Sequence, residues 1–167
     1  MVSSVWVMAM YTAKSYFSCR GLRSNEEMKL SAAMLPRLRY LFMGEEEAAT
    51  VFDLRGEPES TLETLARWAP KATIALLRGA NGSLVRDGDR LYAPAHRPAV
   101  QVVDLIGAGD AYVAGFLWAT LRERPMQEAV DVANAVASLK CSTWGDIAII
   151  DARDVADALA GGPGVRR

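Results

Sequence analysis

One histidine in 167 residues leaves little room for imidazole chemistry. That residue, His96, stands in a loop between Pro94 and Pro98 with no companion ligand beside it. It reads as a surface side chain rather than a base or a metal ligand. Cysteine is almost as scarce. Cys19 and Cys141 lie far apart without metal-ligand spacing and read as structural thiols of a reducing compartment. An excess of one charge is missing too: 19 basic and 20 acidic side chains give a net charge of -1. That balance gives no ground for nucleic acid as a partner, and no block of like charge forms a tail. No apolar run reaches the roughly 20 residues that cross a bilayer, so no membrane partner is expected. Residues 1–10 are apolar but lack the basic start of a secretory signal, and the default expectation is a cytoplasmic protein. No internal repeat is evident.

What the chain does have is 51% hydrophobic and 23% charged residues, enough apolar material for a proper core in a soluble globular protein. Its organising stretch is Asp104-Leu105-Ile106-Gly107-Ala108-Gly109-Asp110. An apolar, strand-like run over 100–103 enters it, and a long apolar helix pattern leaves it. This puts the backbone N–H groups of Gly107, Ala108, Gly109 and Asp110 at a helix N-terminus, where they lack intrahelical acceptors and face the positive end of the dipole. A phosphate or a developing anion suits such a place. Asp110, in the same turn, is a candidate base for a substrate hydroxyl.

The rest of the chain alternates strand and helix patterns. A short apolar strand is expected at 5–10 and a loop over 11–23. Ser24 and Glu27 have capping-box spacing for a helix over 24–35, with Met28, Ala32 and Leu35 on one face. A strand over 39–43 leads through Gly44 into a helix over 45–52, whose first-turn acids Glu45, Glu46 and Glu47 complement the dipole. A helix over 60–68 and a strand over 73–77, buried on both faces, come next. The glycine-punctuated turn Arg78-Gly79-Ala80-Asn81-Gly82 follows, then a hairpin turning at Asp87-Gly88. Beyond the central motif, helices are expected over 109–122 and 126–141. A strand over 147–150 comes after them, then a last helix to residue 160, capped by Asp151 with Asp154 at its third position. The alternation implies an α/β domain with a mainly parallel sheet and a hairpin insertion.

The Gly107-Ala108-Gly109-Asp110 element, with Asp104 before it and small, aromatic and apolar residues after it, resembles the C-terminal signature of the ribokinase-like (PfkB) carbohydrate kinases. Residues 133–141 and 41–48 look most similar to the 2-keto-3-deoxygluconate kinases within that family. The resemblance spans 24–160, leaving an atypical segment at 1–23 and a flexible tail at 161–167. It implies a ribokinase-like three-layer α/β/α sandwich, mainly parallel with a β-hairpin, lacking the N-terminal part and lid of its relatives. It also implies transfer of the γ-phosphoryl of ATP, with Mg, to a hydroxyl of a small sugar or sugar acid. Asp110 would be the base, and the amides of Gly107, Ala108, Gly109 and Asp110 the anion hole. Arg78, Gly79, Ala80, Asn81, Gly82, Ser83 and Leu84 would lie along the nucleotide, with Asn134 near the adenosine. Asp146 would touch the sugar acid, and Glu47 would serve the Mg–phosphate network.

The departures from the family pattern are specific. Leu105 replaces the usual threonine of the signature, and Gly44 stands where many relatives have asparagine. An Asp-x-Asn-x-Arg motif for the acidic substrate falls on Met8, Met10 and Thr12, which cannot perform its role. An exposed sheet edge and uncovered apolar surface are therefore expected, with self-association, a complementing chain or low stability as the consequence, for which light scattering is the check. A sugar kinase domain is the first reading. The second is a truncated, catalytically inactive nucleotide-binding or scaffold fragment, and the third a flavodoxin-like binding module with no affinity for ATP.

Overall fold

In the computed structural model, residues 7–9, 35–95, 98 and 100–161 are described. The loop of 11–23, Cys19, His96, Met10, Thr12 and the tail from 162 lie outside them. So does the 24–35 helix, except Leu35, which sits in a 3-10 turn, Leu35–Arg37.

A five-stranded sheet runs in the order β1 (Val7–Ala9), β2 (Tyr40–Gly44), β3 (Thr73–Leu77), β4 (Ser83–Asp87), β5 (Arg90–Tyr92). β1, β2 and β3 are parallel, with Leu41 opposite Ile74 and Gly44 opposite Leu77. β4 turns back antiparallel, placing Ser83 opposite Leu77 and Arg86 opposite Ile74. The expected mixture of a parallel sheet and a hairpin is what forms. β2 and β3 are buried along their three central residues, as apolar strands covered on both faces should be. Alternation sorts the side chains: Leu41, Met43, Ile74, Leu76 and Leu84 join one core with helices α1 (Glu45–Phe52) and α2 (Pro58–Trp68), while Phe42, Ala75 and Val85 are buried on the opposite face.

The helices start where local chemistry starts them. Pro58 opens α2, a position where its missing N–H costs nothing. Leu62 and Leu65 then face the core, each burial contributing about 1.5–3 kcal/mol. α1 begins directly at Gly44, and the Glu47 carboxylate reaches back to the Gly44 N–H at 2.9 Å. Thr73 Oγ1 donates to Asp87 Oδ1 at 2.8 Å, tying the start of β3 to the end of β4.

The chain divides after Leu91 into two compact units. The second is helical: α3 (Ala108–Thr120), α4 (Met126–Cys141) and α5 (Ala152–Leu159). Asp151 caps α5 as its sequence indicates, accepting from the N–H groups of Arg153 and Asp154 at 2.7 and 3.0 Å. The return bond of the box, Asp151 N–H to the Asp154 carboxylate, is 3.0 Å. α3 and α4 cross closely at Gly115, where an added Cβ would sit 3.1 Å from Ala133 Cα and from Val136 Cγ2.

Two expected strands do not form. Residues 100–103 enter the central motif as extended chain outside any ladder, and the N–H groups of Val103 and Asp104 both donate to the Cys141 carbonyl, at 2.7 and 3.1 Å. Residues 147–150 are likewise outside any ladder, with Ile147 and Ile149 72% and 80% exposed. An apolar run becomes a strand only by pairing, and these runs have no paired neighbour among the described residues. Val102, Leu105, Ile106 and Trp144 are exposed as well, so this unit carries the uncovered apolar surface that the sequence implies.

Candidate functional site

The chemistry-bearing residues of the second unit gather around the start of α3. Gly107 caps that helix in the left-handed region, with φ 80° and ψ 0°. An L-residue resists this conformation, and space forbids one as well: a Cβ on Gly107 would lie 2.5 Å from the Asp146 carbonyl oxygen. Glycine is thus required twice over, by its backbone angle and by the loop pressed against it.

Of the four amides expected to lack intrahelical acceptors, one finds a partner in the turn before the helix. The Ala108 N–H donates to the Leu105 carbonyl at 3.2 Å, closing a tight turn before the helix, so it drops out of the set of free donors. The first helical bond runs from the Ala111 N–H to the Gly107 carbonyl, at 2.9 Å. The N–H groups of Gly109 and Asp110, in the first turn of α3, make no backbone bond of this kind among the described residues.

Asp110 does not cap its own helix. Its Oδ1 is buried and has no hydrogen-bond partner among the described residues. Burial pushes its carboxyl above the ordinary range, and the negative charge of Asp146 pushes it further the same way. An orphaned buried acceptor is costly to a fold, and active sites are where proteins keep such groups. Replacing Asp146 with Asn removes one of the two causes. The titration of the Asp110 carboxyl, followed by carbon-detected NMR, is then expected to move to lower pH, and the acid limb of any Asp110-dependent turnover should follow it. A midpoint unchanged by Asp146→Asn would show that this charge is not felt at Asp110.

Asp104 and Lys140 are the residues to which the sequence assigns no partner. The Asp104 carboxylate accepts from the Ile106 N–H at 3.0 Å and the Gly145 N–H at 3.1 Å. The backbone bond from Ile106 does most to hold its carboxyl below the ordinary range, with the Gly145 amide and the charge of Lys140 helping. Lys140 is fully buried, and its ammonium donates to the carbonyls of Asp104 and Thr143 at 3.2 and 3.3 Å. An aspartate two residues ahead of an amide it can bond is a recognisable local turn, and that signal was available at Asp104. The helical spacing of 126–141 puts Lys140 on the inner face of that helix, where it is buried, but does not name the carbonyls it meets.

Asn134 is buried in α4, and its Nδ2 donates to the Val130 carbonyl at 2.8 Å, a bond inside the helix itself. Asp146 is exposed and lies against Gly107 through its carbonyl.

The first unit places its own candidates at the carboxyl ends of β2 and β3, the edge where open α/β sheets bind ligands. There Arg78 Nε donates to Glu45 Oε1 at 3.0 Å. The turn after Arg78 is closed by its N–H to the Gly82 carbonyl at 2.8 Å, with Gly79 and Gly82 at φ 53° and 76°. Gly79, Ala80 and Asn81 are exposed, but Ser83 and Leu84 are buried, and Leu84 belongs to the core. The accessible part of the 78–84 stretch is therefore 78–82. Glu47 is half-buried with its carboxyl raised by desolvation, against the lowering effect of its bond to the Gly44 N–H. No group of three or more His, Cys, Asp or Glu residues placed to hold a metal ion occurs among the described residues.

A family model described as pfkB family carbohydrate kinase matches residues 12–153. A 2-dehydro-3-deoxygalactonokinase of Haloferax volcanii is 30% identical over 132 residues, covering 78% of this chain and 41% of that protein. A cytidine kinase of Thermococcus kodakarensis is 31% identical over 118 residues, 70% of this chain and 41% of the relative. Among solved structures, a 2-dehydro-3-deoxygluconokinase of Thermotoga maritima superposes with a TM-score of 0.68 at 20% identity, over 81% of this chain and 45% of that one. An aminoimidazole riboside kinase of Salmonella enterica gives 0.69 at 22%, over 82% and 47%. These likenesses give the ribokinase-like α/β fold. The chain spans about two fifths of the length of the two relatives it is compared with above.

Proposed function

This chain belongs to the pfkB family of carbohydrate kinases, and from that premise we propose that it is the phosphoryl-transfer portion of an ATP-dependent sugar kinase. The substrate class that fits best is a 2-keto-3-deoxy sugar acid, with 2-keto-3-deoxygluconate as the first compound to try. The observation that carries the reading is Asp110. A carboxylate with a buried, unpartnered oxygen and raised proton affinity stands in the first turn of a helix whose glycine cap leaves amides free.

The roles rest on the local geometry of the second unit and, for the nucleotide, on the family resemblance. Asp110 takes the proton of the attacking hydroxyl, and its raised pKa makes it a stronger base once ionised. The N–H groups of Gly109 and Asp110, with Gly107 before them, donate to the equatorial oxygens of the transferred group, where charge spreads in the transition state. Asp146, exposed beside Gly107, supports the sugar-acid side. The exposed turn 78–82 serves the nucleotide, and the family resemblance assigns Asn134 to the adenosine.

Magnesium, when bound with ATP, neutralises charge on the β- and γ-phosphates. The residues present fit it only through water: Glu47 already accepts from its own helix cap, and no cluster of ligands surrounds it among the described residues. Glu47 would order metal-bound water, which suits an ion that keeps much of its hydration shell.

Calorimetric titration with Mg-ATP, with and without 2-keto-3-deoxygluconate, is the test. Heat of binding for Mg-ATP that grows or tightens with the sugar acid is the expected result. Binding without turnover would leave a nucleotide-binding module. No binding of either compound would sink the proposal.

A further inference from the structure

Lys140 stands out as a buried charge that the reaction does not use. It is fully buried on α4 and has no carboxylate salt-bridge partner among the described residues. Burying an ammonium costs far more than burying an aliphatic chain of the same volume, so packing alone gives no reason for lysine here. What the ammonium meets is two backbone carbonyls, Asp104 at 3.2 Å and Thr143 at 3.3 Å. Asp104 opens the motif that ends at Asp110, and Thr143 opens the loop that brings Asp146 against Gly107.

The two segments are joined a second time, with the opposite polarity. The Asp104 carboxylate accepts from Ile106 on its own segment and from Gly145 on the facing loop. A cation therefore bridges the carbonyls of 104 and 143, while an anion bridges the amides of 106 and 145. We propose that Lys140 is a positioning residue, a fixed internal cation that clamps the Asp104–Asp110 segment to the 143–146 loop and so sets the backbone geometry of the anion-binding turn. Only the last link, from clamp to anion hole, rests on the kinase reading above.

The clamp is tested in the native chain and in variants without any assay of turnover. Lys140→Met keeps volume and helix propensity but removes the charge. Amide exchange at Ile106 and Gly145 is expected to accelerate by about tenfold or more, the factor that corresponds to losing a hydrogen bond to a charged group. Exchange in β3 should stay as in the native chain. In Lys140→Ala, ethylammonium should restore slow exchange, and tetramethylammonium, which has no N–H to donate, should not. Native exchange at Ile106 and Gly145 in Lys140→Met overturns the proposal, as does equal rescue by both cations.

Should both variants unfold, the native chain decides. Coupling across the hydrogen bonds between Lys140 Nζ and the carbonyl carbons of Asp104 and Thr143 supports the clamp, and its absence refutes it. Mg-ATP titration of the same samples separates the two readings. Accelerated exchange in a chain that binds no Mg-ATP supports the clamp and counts against the kinase. Native-like exchange in a chain that binds Mg-ATP counts against the clamp alone.

Discussion

Asp110→Asn is expected to lower turnover by about 10²–10⁴-fold, the range a general base contributes, and to raise the melting temperature at the same time. The two effects come from one atom. Oδ1 is buried without a hydrogen-bond partner among the described residues, so the native carboxylate is held at a cost to the fold. The sign follows from the shift. A carboxyl raised in the folded state favours its protonated form there, so its contribution is present below the unfolded pKa and is lost as pH rises through the folded value. At neutral pH the charged Asp110 therefore destabilises the protein, and the neutral amide relieves that by about 1 kcal/mol, or about 2–4 °C in melting temperature. Below about pH 4, where the carboxyl is neutral whether the chain is folded or not, the gain should disappear. Thermal melts across pH and steady-state kinetics with Mg-ATP and the sugar acid measure both. A variant that loses activity and stability together would mean that Asp110 holds the fold instead of serving the reaction.

Gly107→Ala is expected to cost about 2–4 kcal/mol, seen as a fall of about 5–15 °C in the melting temperature, with Mg-ATP binding lost. Two penalties add. The left-handed backbone costs an L-residue about 1–2 kcal/mol. The remainder is steric, because the new methyl meets the Asp146 backbone, with the carbonyl oxygen at 2.5 Å, the carbonyl carbon at 3.2 Å and Cα at 3.3 Å. Backbone atoms cannot swing aside as the end of a flexible side chain can, so the 143–146 loop itself must move. Gly145→Ala is the control. Its φ is 83°, yet its Cβ would meet nothing within 4 Å, so it should show the conformational penalty alone. Circular dichroism melts of the two variants separate the terms. Equal losses would show that the close approach of Asp146 plays no part.

Local signals were legible in the sequence wherever they were self-sufficient. The three acids after Gly44 start a helix because they lie in its first turn, and Pro58 sets the start of α2 two residues ahead of the expected position. Asp151 caps α5 through atoms only two and three residues away. The central glycines announced a tight turn into a helix, because its geometry is written in neighbouring residues. What was not legible depended on pairing and on backbone bends. The runs 100–103 and 147–150 have strand composition, but strand formation is decided by a neighbour, and composition does not name one. The turn bond from the Ala108 N–H to the Leu105 carbonyl needs a backbone bend that residue types alone do not specify. Leu84, which the family resemblance sets along the nucleotide, has its side chain in the core of the first unit. The pairing of Asp104 with Gly145 joins positions 41 residues apart, and Lys140 acts through carbonyls that no residue type reveals.

Gly115 has a mechanical consequence. With an added Cβ only 3.1 Å from Ala133 Cα, the helices that carry Asp110 and Lys140 approach closely enough for backbone to rest on side chain with little compliance between them. They form one stiff lever. A push on α4 then reaches the first turn of α3 as displacement with little lost to sliding, so the Asp110 carboxylate, the amides of that turn and the buried Lys140 ammonium travel together. Bending of this unit is then left to the extended segments that flank the α3–α4 pair, over 100–103 and 147–150.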